Sequence, residues 1–212
     1  MNVFDVGRRR VFGTKSWIAC RPVGTPTARS TGSCFVSTAV WCGRTRRPPE
    51  RGKKGPPEEP ADHALGRSRG GFGSKLHVVC DSAGWLIEVH LSPGQVHEST
   101  QFEDLMESIE VCSLRGPAKR RPAMVVGDKA YSAGHIRQWL STHRIEDVIP
   151  HRDNEAGRAD PFDRDSYRSR NIIERTIGWL KEFRRLATRY EKLAVHYLGM
   201  IKLGMILQYL TY

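Results

Sequence analysis

Two patterns of apolar and polar positions run through the last three quarters of the chain. Partial alternation in Ser74–Asp81 (SKLHVVCD) and the apolar run Trp85–Leu91 (WLIEVHL), separated by a turn, predict a β-hairpin. Two short apolar runs predict buried strands. They are Pro122–Val126, which stops at Gly127-Asp128, and Val148-Ile149, which Pro150 closes.

Apolar residues at helical spacing predict helices between and after these strands. Ser99 and Ser132 are N-cap candidates for the first two helices. A long helix is predicted from near Tyr167 to about Tyr190, and a further apolar helix covers Leu193–Tyr212. The expected buried positions of these helices are Phe102, Leu105, Met106, Ile109, Ile136, Leu140, Ile173, Ile177, Leu180 and Ala187, with Phe183 close to them and Trp139 as a further candidate. The order strand, strand, helix, strand, helix, strand, helix, helix predicts a mixed α/β layer fold.

The beginning of the chain differs from the rest in its sequence pattern and its composition. From residue 1 to about 55 we find neither a strand nor a helix period, and residues 44–60 offer almost nothing to bury. Residues 1–60 carry 12 Lys and Arg against 4 Asp and Glu. We therefore expect residues 1–52 to be basic and irregular or disordered, and residues 53–212 to form the globular unit.

Composition narrows the function classes. The chain has 212 residues, a net charge of +11 and a pI of about 9.8. It contains no apolar run of the roughly 18 residues that span a membrane, no secretory leader pattern and no C-x-x-C pair. Membrane, secreted and disulfide-framework proteins are poor fits. A protein this basic has nucleic acid as its natural partner.

Candidate chemistry lies on a strand end and on one helix face. Asp128 follows an apolar strand, at the edge where open α/β sheets build their sites. Tyr167, Arg170, Glu174 and Lys181 are spaced by 3, 4 and 7 residues, which brings them to one side of a helix. One interpretation is a solvated face with ordinary ion pairs. The other is a carboxylate that binds Mg²⁺ beside cations that hold a phosphodiester.

The spacing Tyr-x2-Arg-x3-Glu-x6-Lys resembles the signature of bacterial insertion-sequence transposases of the DDE type. The text around it resembles the group founded on insertion sequence five, and so do VVGDKAYS, GRSRGGFGSKLHVVCDSAG and LSPGQVHEST. The resemblance covers about residues 53–212. It implies an RNase H-like fold, and metal-dependent cleavage and strand transfer of DNA at element ends. It also implies a homo-oligomer on DNA, in the bacterial cytoplasm at the nucleoid.

By this resemblance Asp128 and Glu174 are catalytic residues and two of the ligands of a pair of Mg²⁺ or Mn²⁺ ions. Such ions activate water or a 3′-hydroxyl and stabilise the leaving oxygen. Tyr167, Arg170 and Lys181 are expected to position DNA phosphates. Further expected DNA contacts are Arg67, Arg69 and Lys75 in a Gly/Ser-rich stretch, and Arg184 and Arg185 on the long helix. His77 and His97 are expected to be structural, and Arg189 to extend the basic stripe.

One part of the family pattern is missing. The first catalytic Asp of the family lies on the first strand, upstream of GRSRGG, and nothing in residues 1–60 matches its surroundings. Asp5 lies in no strand pattern, and Asp62 and Asp81 are poor substitutes. We therefore expect an RNase H-like core that is incomplete at its first strand, and a chain that is marginal in stability and inactive.

A shifted reading frame offers an explanation. With permitted synonymous codons, residues 29–54 read in the other frame give V-D-W-L-L-L-R-L-D-S-S-V-V-R-A-H and then rejoin the chain at Lys53-Lys54. Residues 1 to about 52 are then either a frame-displaced segment or a genuine basic arm. Three functions stay open: a transposase that needs its frame restored, a non-catalytic DNA-binding fragment such as a repressor, and an unrelated RNase H-fold nuclease.

Overall fold

The structure of the protein, a computed structural model, describes residues 33–41, 63–68, 71–111, 118–152 and 163–211. Its strands are β1 (Ser33–Trp41), β2 (Gly66–Ser68), β3 (Gly71–Asp81), β4 (Leu86–Pro93), β5 (Met124–Val126) and β6 (Glu146–Val148). Its α-helices are α1 (Phe102–Glu107), α2 (Gly134–Thr142), α3 (Arg164–Arg168), α4 (Asn171–Glu182), α5 (Arg184–Ala187) and α6 (Ala194–Thr211). Short 3-10 helices cover Glu98–Gln101 and Lys129–Tyr131.

The strands form one mixed sheet around β1. On one side β1 pairs antiparallel with β3, which pairs in turn with β4 and with the short β2. On the other side β1 runs parallel to β5, and β5 runs parallel to β6. An antiparallel hairpin and two parallel strands thus flank one central strand, which is the mixed α/β arrangement of the RNase H-like fold expected from the sequence.

The central strand corrects a prediction. We expected the first strand to be missing, yet Ser33–Trp41 occupies the middle of the sheet. The segment SCFVSTAVW is apolar or small with several β-branched residues, and a strand covered on both faces shows no alternation of apolar and polar positions. Periodicity therefore gave no signal there. The rest of residues 1–62, including the predicted basic arm, lies outside the described residues.

Helices cover both faces of the sheet. On one face Val36, Val79 and Val125 pack with α1 and α2, through residues that include Phe102 and Ile136. On the other face the core consists of sheet residues together with α4 and α6: Leu76, Val78, Val126, Ile173, Ile177, Leu180, Tyr197 and Ile201. The buried positions predicted for the helices are confirmed on both faces, except that Ala187 is only half-buried.

Both predicted serine caps are wrong. The 3-10 helix before α1 is capped by His97, whose Nδ1 accepts a hydrogen bond from the Ser99 backbone N–H. Helix α2 begins at Gly134, with Ala133 rather than Ser132 at its N-cap position. Asp128 and Tyr131 bracket another 3-10 helix just upstream, which moves the start of α2 towards its C-terminus.

The predicted long helix is broken into α3, α4 and α5. Phe183 is extended, with φ −79° and ψ 106°, and so ends α4 and redirects the chain. The change of direction brings Leu186 against Gly204 of α6, and the Leu186 carbonyl accepts a 2.7 Å hydrogen bond from the Tyr197 hydroxyl. Helix α6 itself is packed, as predicted. Within the described residues, no helix combines the length and the hydropathy that crossing a bilayer requires.

Candidate functional site

Asp128 lies where β5 ends, as predicted. Its carboxylate Oδ1 accepts a 3.0 Å hydrogen bond from the Ala130 backbone N–H and so caps the 3-10 helix that follows. Partial burial raises the pKa of this carboxyl, and the negative charge of Glu98 raises it further. The Ala130 hydrogen bond and the positive charges of Arg170 and Arg152 act in the opposite direction and lower the pKa. The structure thus keeps a carboxylate in a position that disfavours its own ionisation.

The signature residues on the other side of the site meet each other. Arg170 occupies the N-cap position of α4, and its Nη2 lies 2.7 Å from Oε1 of Glu174 in the first turn of that helix. The Arg170 guanidinium also lies over the Tyr167 ring, 5.4 Å from its centroid. The positive charge of Arg170 also lowers the pKa of Asp128. The same cation therefore interacts with both candidate carboxylates. Lys181 lies two turns further along α4, with an exposed side chain.

These residues do not fit a pair of divalent ions. Mg²⁺ takes about six oxygen ligands, and a two-ion centre needs carboxylates that hold both ions. Among the described residues, no three His, Cys, Asp or Glu side chains are grouped so that they could hold a metal ion. The central strand β1, SCFVSTAVW, brings no carboxylate to the sheet. Of the two candidate acids, Glu174 forms an ion pair with Arg170, and the charge of Arg170 partly offsets the raised pKa of Asp128.

Asp81, which we considered as a substitute for the missing acid, has a structural role in a turn. Its Oδ1 accepts 2.9 Å hydrogen bonds from the backbone N–H groups of Ala83 and Trp85, which closes the turn between β3 and β4. Asp81 pairs with Cys34 near the start of β1, whereas Asp128 follows the C-terminal end of β5. Asp81 is therefore not the missing ligand. Asp62 lies outside the described residues.

Lys75 is placed differently from the prediction. Its ammonium group is buried and donates 2.6 Å and 2.7 Å hydrogen bonds to Glu98 Oε1 and to the Val96 carbonyl. An ammonium group that is buried and already hydrogen-bonded within the protein has a structural role and is not available to contact a phosphate. The burial of Lys75 was not predictable from the sequence, because a lysine in a Gly/Ser-rich stretch is typical of an exposed loop.

Two residues near Asp128 were missed altogether. Glu98 begins the 3-10 helix that follows β4, and Lys75 holds it close enough to Asp128 to affect the pKa of Asp128. Arg152 donates hydrogen bonds of 3.1 Å and 3.2 Å to the carbonyls of Lys129 and Ala130, and so braces the turn that Asp128 caps. Both lie far from the signature helix in sequence, and only the sheet brings them to this edge.

The remaining predicted cations divide between surface and interior. Arg184 and Arg185 are exposed on α5, and Arg67 is exposed on β2. Arg69 lies outside the described residues. Arg189, expected on the basic stripe, is instead 1% exposed, and it donates to the carbonyls of His63, Ala64, Glu191 and Lys192 and to Ser74 Oγ. The exposed cations of this region include Lys181, Arg184 and Arg185, and we call these three the α4–α5 basic surface.

The two histidines are structural, as expected. His77 is fully buried, and its Nε2 lies 2.7 Å from Ser92 Oγ. Burial lowers the pKa of His77 to about 4, so its ring is neutral at physiological pH. His97 caps the 3-10 helix that carries Glu98.

Comparison with known proteins gives a consistent result. Residues 44–208 match the family described as the transposase DDE domain. The chain is 35% identical over 133 residues to the transposase of insertion sequence element IS402 from Burkholderia cepacia, an alignment that covers 62% of this chain and 60% of that protein. It is 27% identical over 132 residues to the transposase of element IS6501 from Brucella ovis, covering 62% and 93%. The chain thus spans about three fifths of the length of the first relative.

Solved structures give only distant likenesses. A Mos1 mariner paired-end complex with Mn is 18% identical, over 86% of this chain and 56% of that one, with a TM-score of 0.34. A piggyBac transposase synaptic complex with hairpin DNA is 15% identical, over 61% and 27%, with a TM-score of 0.35.

Proposed function

The chain belongs to the DDE transposase family, and on that premise we propose that it is an insertion-sequence transposase product that binds DNA without cutting it. One observation carries the second half of this proposal. Asp128 and Glu174 share the cation of Arg170, and no third acid joins them among the described residues. The complete family reaction, strand cleavage and strand transfer at element ends, needs divalent metal, which two carboxylates hold weakly when one of them is paired with an arginine.

Each signature residue has a proposed role. Asp128 and Glu174 are the two metal ligands that this chain retains. Tyr167 and Arg170 form a stacked pair beside them, and Arg170 is free to exchange its carboxylate partner for a DNA phosphate, because a guanidinium binds both in the same forked geometry. Lys181 supplies a point charge two turns away.

The α4–α5 basic surface is the proposed DNA contact. Its three cations are exposed: Lys181 lies on the helix that carries Glu174, and Arg184 and Arg185 lie on the next helix, so a duplex held there reaches the retained acids. Arg67 on β2 offers a further exposed cation. DNA affinity from such contacts is electrostatic and falls with salt. We also propose that the protein acts as a homo-oligomer at the two ends of its element, in the bacterial nucleoid, where a chain that binds without cutting represses its own element.

The test of DNA binding compares two pairs of arginines, each pair being adjacent in sequence. Arg184→Ala with Arg185→Ala removes the pair on α5. Arg120→Ala with Arg121→Ala removes an exposed pair that precedes β5, at the opposite end of that strand from Asp128. Affinity for a duplex carrying the element end is measured by fluorescence anisotropy from about 50 to 200 mM salt.

We expect the α5 variant to reduce the slope of log affinity against log salt by about 2, since each lost phosphate contact lowers it by roughly 0.9. The control pair should leave the slope unchanged. Equal losses in both variants would mean non-specific attraction by net charge. An unaffected α5 variant would exclude this surface as the DNA site.

A further inference from the structure

Helix α6 carries most of the large apolar side chains that the described part of the chain leaves exposed. Four of the five such side chains belong to it, with exposed fractions of 44% to 74%: Val195, Leu203, Leu207 and Leu210. Their spacing of 8, 4 and 3 residues places them on one side of the helix. Single exposed apolar residues need no explanation, whereas a contiguous apolar face marks an interaction site. We call these four residues, together with Gly199 between them, the α6 apolar face.

The α6 apolar face lies opposite the side by which the helix packs on the sheet. On that packed side, Tyr197, Ile201 and Met205 belong to the core shared with α4 and the sheet. Gln208 on the same side accepts a hydrogen bond from the backbone of Leu86. The two sides of α6 are equally apolar, but within the described residues only one of them is covered.

The α6 apolar face carries no charge in a strongly basic chain. Lys202 is the one charged residue of α6, and its Nζ lies 3.6 Å from Oε1 of the buried Glu88 on β4. Because the chain has a net charge of +11, two copies repel each other wherever their cations meet. The α6 apolar face is a surface on which two copies can meet without that repulsion.

Gly199 makes this face complementary to itself. A Cβ added to Gly199 meets no atom within 4 Å, so the surface above this residue is open. When two α6 helices cross antiparallel about a two-fold axis at Leu203, Leu207 of each copy lies opposite Gly199 of the other, because both are four residues from the axis. The packed side of α6 has the same kind of contact within one chain, since Gly204 lies against the Leu186 side chain of α5.

We infer that the α6 apolar face is the contact between two copies of this chain, joined antiparallel about a two-fold axis near Leu203. The inference rests on the homo-oligomer of the proposed function and names its interface. A helix of 18 residues is about 27 Å long and about 10 Å wide. Its contact is therefore smaller than the roughly 800 Å² that each partner buries in a standard interface. The dimer is accordingly a reversible one, with a Kd of about 1–100 µM.

Sedimentation equilibrium of the full chain without DNA tests the inference. Over about 1–100 µM, the wild-type mass should rise from 24.0 kDa towards twice that value. Leu203→Glu should raise the Kd at least about tenfold, because it brings two carboxylates together at the axis. Leu203→Lys should do the same with two ammonium groups. An equimolar mixture of the two variants should associate again, which misfolded variants would not do.

Gly199→Leu separates the dimer contact from the fold. The new side chain meets open space in the single chain, so the melting temperature of the monomer should not fall. It takes the place of Leu207 of the other copy, and should therefore raise the Kd at least about tenfold. Gly178→Leu is the matched control, because Gly178 is an exposed glycine of α4 with equally open surroundings. It should leave the Kd unchanged.

Several outcomes would overturn the inference. A wild type that stays at 24.0 kDa up to about 100 µM would mean that the α6 apolar face has a different partner. A dimer that persists in Leu203→Glu and Gly199→Leu would mean that the copies meet through another surface. A mixture of Leu203→Glu and Leu203→Lys that stays monomeric would exclude the two-fold contact at Leu203. Because association is measured without DNA, these results are independent of the DNA-binding test, and the two proposals fail separately.

Discussion

At the scale of single residues, burial and neighbouring charges have opposite effects on the ionisation of Asp128. Asp128 is partly buried and its pKa is raised, while Arg170 and Arg152 supply the opposing positive charge. A carboxylate that is desolvated in this way costs folding free energy when ionised. Residues kept at such a cost are typical of functional sites, which agrees with the proposed role of Asp128.

Asp128→Asn should therefore raise the melting temperature at pH 7. The amide keeps the oxygen that accepts the Ala130 N–H, but it carries no charge to desolvate. A raised pKa in the folded state means that the penalty of the wild type is complete above that pKa and vanishes as pH falls towards the unfolded value of 3.8. The advantage of Asn should shrink accordingly in melts from pH 7 to pH 4.

Asp104→Asn is the matched control, because Asp104 is an exposed carboxylate on α1. It should change the melting temperature little across the same pH range. Destabilisation by Asp128→Asn at pH 7, or a gain that is independent of pH, would contradict the account of Asp128.

At the scale of secondary-structure elements, the sequence predicted those whose signals are local. The hairpin β3–β4, the strand β5 that ends before Asp128 and the packed helix α6 are confirmed. The break at Phe183 was missed because the apolar spacing continues across it, and the contact of Leu186 with Gly204 is tertiary. Strand β1 was missed because its position depends on β3 and β5, which flank it.

Helix α6 contains a polar residue that joins it to the sheet. Gln208 is buried; its Oε1 accepts a 3.2 Å hydrogen bond from the Leu86 N–H, and its Nε2 donates a 2.9 Å hydrogen bond to the Gly84 carbonyl. These bonds anchor the turn and the first residue of β4. The sequence indicated a packed helix but gave no partner for this amide, because the partners lie more than a hundred residues away in the chain.

Gln208→Met should lower the free energy of unfolding by about 1–3 kcal/mol, since it removes the acceptor of the buried Leu86 N–H and one of the two side-chain donors to the Gly84 carbonyl, the other being Thr176. Chemical denaturation measures the change. Gln138→Met, the same substitution at an exposed position of α2, should cost within about 0.5 kcal/mol. Equal effects of the two substitutions would show that the amide of Gln208 does not anchor the sheet.

At the scale of the whole molecule, buried Arg189 ties distant segments together. Its guanidinium joins the segment before β2, the start of β3 and the loop before α6, and it lies 5.3 Å from the centroid of the Tyr197 ring. The sequence predicted the site's main acids and Arg170, whose spacing is local to one helix. It could not separate the buried cations Lys75 and Arg189 from the exposed Arg184 and Arg185, because burial is decided by tertiary packing.

Strand β1 joins the beginning of the chain to the rest of the fold. The sheet is complete only with β1, which comes from the part of the chain whose composition is least like a folded domain. That strand supplies the backbone of the fold but not the acid of the site. The molecule keeps its architecture and its basic surface while its central strand contains no carboxylate.

The most direct test of the central claim is a cleavage assay with the wild-type chain. Labelled duplex carrying the element end is incubated with the protein and Mn²⁺, and binding and strand scission are followed in the same sample. The account predicts a bound, uncut duplex. Specific cutting at the element end that Asp128→Asn abolishes would contradict it, since that result would mean that the acids already present suffice for catalysis.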